Sequence, residues 1–158
     1  MATDPKGDSR LFIYLLGTFI GRIDRERRVL YEADLDLASV ALTVGLAAIE
    51  PGMRDVEFLS KHRSFDSVIG LAGQRPINAL SVAEATGIPR ETVRRKLKRL
   101  VEIGFLEELS RGRYVTKPGT PQSPQQSAAF ERGMREVVTF MNECLTHGLV
   151  RWSREPEE

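Results

Sequence analysis

The sequence changes its period once, at Gly104, and what stands on either side of that glycine limits the fold more than any other feature. Upstream, SVAEATG gives about two helical turns, with Ser81 and Glu84 spaced as a capping box and Gly87 placed to end them. Ile88-Pro89 turns the chain. PRETVRRKLKRLVE then resumes a helical pattern, proline being suited to a first helical position. Downstream, FLEELSRGRYVTKP alternates: a strand from Phe105 to Leu109, a tight turn around Ser110-Arg111-Gly112, and a returning strand from Arg113 to Thr116. INALS, ahead of the first helix, can add a short strand.

A short helix, a glycine-containing turn and a longer basic helix are the order of a helix-turn-helix, and a basic hairpin directly after it is a wing. The charge supports that reading. Arg90, Arg94, Arg95, Lys96, Lys98 and Arg99 fall within ten residues, opposed there only by Glu91. At 100° per residue, Val93, Leu97, Leu100 and Val101 share an arc of about 100°. Arg95 and Arg99 lie opposite, and Arg94 and Lys96 fall on the flanks. A merely solvated helix more usually interleaves Glu with Lys four residues apart, and this one does not. The whole chain carries only +1 over 158 residues, so a nucleic-acid reading rests on where the charge sits.

The stretch from Ile77 to Thr116 resembles the winged helix-turn-helix of bacterial transcription regulators, most closely in PRETVRRKLKRLVEIGFLEE. There a Thr-Val pair opens the basic helix, leucine recurs four residues on, and a glycine-hydrophobic pair starts the wing. With helices on both sides, the arrangement is similar to MarR-type regulators, although their wing is longer. The resemblance implies that Arg90, Thr92, Arg94, Arg95, Lys96, Lys98 and Arg99 meet DNA from the second helix, and Arg111 and Arg113 from the wing. Arg95, pointing most directly outward, is the residue expected to reach guanine O6 and N7; the lysines and flanking arginines are expected to hold phosphates.

Around this unit the chain is helical. Ser9 can cap a helix from Arg10 to about Leu30, whose LFIYLLGTFIG is too short to span a bilayer and lacks a small-x-small cleavage site. Asp36 can cap a second, from Leu37 to Ile49, apolar nearly all round and closed by Pro51-Gly52. Met53 to Gly73 suggests one or two short helices. Thr116 to Ser127, with three prolines, reads as a linker. Phe130, Met134, Val137, Val138, Met141 and Leu145 then form a sustained helical stripe that Gly148 can end, and Trp152 beyond it can close over an apolar patch. Residues 1 to 8 are polar and are expected to fray.

The expectation is therefore a mainly α fold: an N-terminal helical region (1–52), a winged helix-turn-helix (53–117), a linker (118–127) and a C-terminal helix (128–152). The terminal helices would pair two copies. The function expected is a dimeric, sequence-specific regulator on double-stranded DNA, with room for a small-molecule effector of unidentified chemistry; the alternative is a winged helix used for protein docking in an assembly. The single cysteine, Cys144, excludes an intramolecular disulfide and fits a reducing, cytoplasmic setting. No Ser-His-Asp or Cys-His arrangement, glycine-rich phosphate loop or HExxH occurs, so no catalytic residue or cofactor is expected. His62 and His147 lie far apart and neither is near Cys144, so no metal site is expected.

Overall fold

A computed structural model describes residues 7–150. Trp152 and most of the expected frayed start lie outside them. The order is α1 (Ser9–Leu30), α2 (Leu35–Ile49), α3 (Val56–His62), α4 (Ala79–Thr86), α5 (Arg90–Glu102), β1 (Leu106–Ser110), β2 (Arg113–Thr116) and α6 (Pro124–Thr146). The protein is mainly helical, with one small antiparallel hairpin.

The helix-turn-helix and hairpin lie where the sequence places them. Gly87 takes φ +71°, the left-handed conformation that ends α4 while its N–H reaches the Ala83 carbonyl. Gly104, at φ +74°, does the same after α5 and lets Phe105 N–H return to the Leu100 carbonyl at 2.8 Å. The expected INALS strand reduces to one bridge, Ile77 with Tyr114, because the helix begins at Ala79. Asn78 is the cap: its side chain accepts from Ser81 N–H at 3.0 Å. Ser81 thus sits inside the helix, and the Ser81–Glu84 capping box does not form. Likewise α2 is capped by Asp34, which accepts from Leu37 N–H at 2.9 Å, rather than by Asp36, which is exposed in the first turn.

Two clusters hold the chain together. The larger contains Leu37, Val40, Ala41 and Val44 of α2, Val82 of α4, Val93, Leu97 and Leu100 of α5, and Leu106 and Tyr114 of the hairpin. Helix α2 therefore belongs to the same packed body as α4 and α5, although the sequence assigned it to a separate N-terminal region. The smaller cluster joins α1 and α6 as an antiparallel pair: Leu15 with Cys144 and Leu149, flanked by Phe12 and Phe140. Phe19 stacks on Phe140 at 5.1 Å, and Arg22–Glu136 and Glu26–Arg132 bridge the pair at 3.0 and 2.6 Å.

The expected linker is short and tied down, a correction with a clear cause. Lys117 N–H bonds to the Phe105 carbonyl, Thr120 Oγ1 to that of Gly104, and Gln122 Nε2 to that of Phe65. Its polar side chains satisfy backbone groups of the body it crosses, and Pro124 opens α6 directly.

Candidate nucleic-acid interface

Helix α5 is held on its inner side by Val93, Leu97 and Leu100, all fully buried, which fixes the rotation of the helix and hence the direction of every cation on it. The structure sorts the nine expected contact residues into distinct environments. Arg90, Arg95 and Lys98 are exposed and have no carboxylate within 4 Å among the described residues. Arg111 and Arg113, at and just after the hairpin turn, are in the same condition. Arg94 pairs with Glu91 at 3.5 Å, and Arg99 with Glu32 at 3.5 Å and Glu102 at 3.8 Å. These are long, exposed pairs of the kind that contributes about 0–1 kcal/mol, so a phosphate can displace the carboxylate at little cost. Thr92 is half-buried.

Lys96 departs from expectation. Its ammonium pairs with the Asp34 carboxylate, and only 16% of its side chain is exposed. It lies at the edge of the buried arc, where a long side chain reaches the neighbouring helix more readily than a duplex. Burial alone would raise the Asp34 carboxyl, but the bond and charge from Lys96 and the Leu37 N–H outweigh it and hold the group below the usual carboxylate range. Lys96 accordingly ties α5 to the start of α2.

Two of the acids that oppose the cations, Glu32 and Asp34, come from a turn that nothing in the sequence places here. Between α1 and α2, Glu32 and Ala33 both take positive φ, +52° and +64°, and Ala33 N–H and Asp34 N–H close the turn onto the Arg28 and Tyr31 carbonyls. That turn carries Glu32 to Arg99 and Asp34 to Lys96. Acidic side chains in a loop were the signal; their partners, more than 60 residues away, were not readable.

A side-chain bond closes the tip of the hairpin. Glu108 Oε1 accepts from Gly112 N–H at 2.6 Å across the turn, and the register slips between Glu108 and Ser110. Burial pushes the Tyr114 phenol up; Glu108 adds to this and Arg94 opposes it, so α5 and the wing share one electrostatic neighbourhood. Elsewhere, among the described residues, no cluster of three His, Cys, Asp or Glu could hold a metal ion, and His62 Nδ1 is engaged with Ser67 Oγ at 2.8 Å. No described helix is long and apolar enough to cross a membrane.

Against protein-family models, curated proteins and solved structures, the chain finds no match. The functional reading therefore stands on residues and geometry alone.

Proposed function

We propose that this protein is a DNA-binding transcriptional regulator that grips duplex DNA as a dimer, with α5 in the major groove and the hairpin against the flanking backbone. The observation that carries the reading is the outward side of α5: Arg90, Arg95 and Lys98 project from a helix anchored by buried Val93, Leu97 and Leu100, with no carboxylate within 4 Å among the described residues. Arg95 is the residue positioned for a guanine edge. Lys98, Arg90 and the wing arginines would hold phosphates, and Arg94 and Arg99 would exchange their carboxylates for phosphate on binding. Such a protein works beside the chromosome, in the cytoplasm of a bacterial cell.

The dimer has its own support. Helix α6 buries Ala129 and Cys144, half-buries Phe140, and leaves Phe130, Met134, Val138, Met141 and Leu145 41–52% exposed. On α1, Ile13 and Tyr14 are 68% and 67% exposed. Apolar side chains this exposed on two paired helices are more than scattered surface residues explain. Gly17 and Gly21 have open space above their Cα atoms, which lets a partner helix approach closely. A two-fold copy would cover these side chains and place two α5 helices on one duplex, about 34 Å apart, on a near-palindromic site.

Selection from a random duplex pool, followed by sequencing, tests this directly: a near-palindromic site should emerge. The docking alternative draws on Leu80, Ile103 and Leu109, exposed on and beside the helix-turn-helix. Failure of any duplex to be retained at low salt would favour it.

A further inference from the structure

Where the α1–α6 pair meets the helix-turn-helix body lies a cavity of about 660 Å³. Its floor is made of small residues on one face of α2, Ala38, Ala41 and Gly45, and its sides include Leu30 and Phe105. Thr116, the last residue of the wing, also lines it. Gly45 is in mid-helix, where glycine weakens a helix, and no turn or positive φ requires it. A Cβ there would meet Thr116 Oγ1 at 3.6 Å, an ordinary contact. The missing side chain leaves this space open instead.

Thr116 is the second observation. It is 8% exposed, and its Oγ1 is buried with no hydrogen-bond partner. Its backbone is satisfied on both sides by Gln74, which accepts from Thr116 N–H at 3.1 Å and donates to the Thr116 carbonyl at 2.9 Å. Only the hydroxyl is left over, and buried hydroxyls without partners are costly and uncommon. The charged groups deeper in the wall are already engaged: Glu26 by Arg132, and Arg27 by Asp24 and Ser39. The interior is mostly apolar, with Tyr31 and Gln126 also in its wall, and Thr116 Oγ1 is the buried side-chain polar atom among the described residues that lacks a partner. A volume of this size, mostly apolar with a few polar side chains, is the form of a small-molecule site.

We propose that this cavity binds an uncharged, predominantly apolar small molecule that forms a hydrogen bond with Thr116 Oγ1. The site stands on the cavity and the hydroxyl, so it holds or fails without reference to DNA.

The probe is N-phenyl-1-naphthylamine, a neutral aromatic whose fluorescence rises on leaving water and whose single N–H can donate to the hydroxyl. Titrated into the full chain, it should saturate at one molecule per chain. Gly45→Leu should abolish that signal by filling the floor. Thr116→Val, nearly the same shape, should bind about three- to tenfold more weakly through loss of one hydrogen bond. Circular dichroism checks that Gly45→Leu is folded; if it is not, Thr116→Val alone decides. No saturable binding by the full chain overturns the proposal. So does equal affinity in Thr116→Val, or full binding in a folded Gly45→Leu.

Discussion

Replacing Lys96 with methionine separates holding the fold from holding DNA. Lys96 and Asp34 are 16% and 31% exposed, between the surface pairs that contribute about 0–1 kcal/mol and the buried pairs whose breakage costs about 3–5 kcal/mol. Asp34 keeps its bond from Leu37 N–H in the variant and stays partly in water, which places the loss near the lower of these ranges. We expect Lys96→Met to destabilise by about 1–2 kcal/mol, which for a domain of this length lowers Tm by about 3–6 °C. Its effect on DNA should be slight: the salt slope should stay that of the parent, whereas Lys98→Ala, removing one contact from each copy of the dimer, should lose about 1.8 from it. Thermal denaturation and salt-dependent anisotropy on the same samples read both quantities. An unchanged Tm with a slope reduced by about two would refute the reasoning, showing that Lys96 leaves Asp34 for a phosphate in both copies.

Three further expectations follow from the same geometry. Arg95→Ala should lose about 1–3 kcal/mol on the selected site and relax its sequence preference, with Tm unchanged; a preference that survives would mean another residue reads the base. Val138→Glu with Met141→Glu should convert a dimer to a monomer by light scattering, since both lie on the exposed stripe of α6; a parent already monodisperse as a monomer would remove the basis for the palindrome. Because the folded-state value of Asp34 lies below its unfolded one, its stabilisation is present above the ordinary carboxylate range and fades as pH falls through the folded value. Asp34→Asn, which keeps a capping oxygen, should flatten that acid limb, and a limb as steep as the parent's would assign it to other carboxylates.

The hairpin, α5 and the C-terminal helix were legible because each depends on local signals. Gly87 and Gly104 supply conformations that few other residues adopt, and Val93, Leu97 and Leu100 define one face without ambiguity. Helix α2 was legible as a helix but not as a partner of α4 and α5: LASVALTVGLAAI is apolar on nearly every side, so its pattern names no direction. The linker misled through its composition, since proline and glutamine describe a turn that packs as well as one that does not. Within the site, the outward direction of Arg95 came from angle alone. The Lys96 tie did not, because its flank position is compatible with water, phosphate or a neighbouring acid, and only the turn at Glu32 and Ala33 brings Asp34 there. The cavity left no pattern in the sequence, being defined by what Gly45, Ala38 and Ala41 fail to fill.

The most direct test of the central claim is the salt dependence of duplex binding by the full chain. If two copies each engage phosphates through Arg90, Lys98 and the wing arginines, log K should fall with log salt at about −0.9 per contact, a total slope steeper than about −3. A flat response, or no duplex binding at low salt, would contradict the account and leave α5 as a surface for another protein.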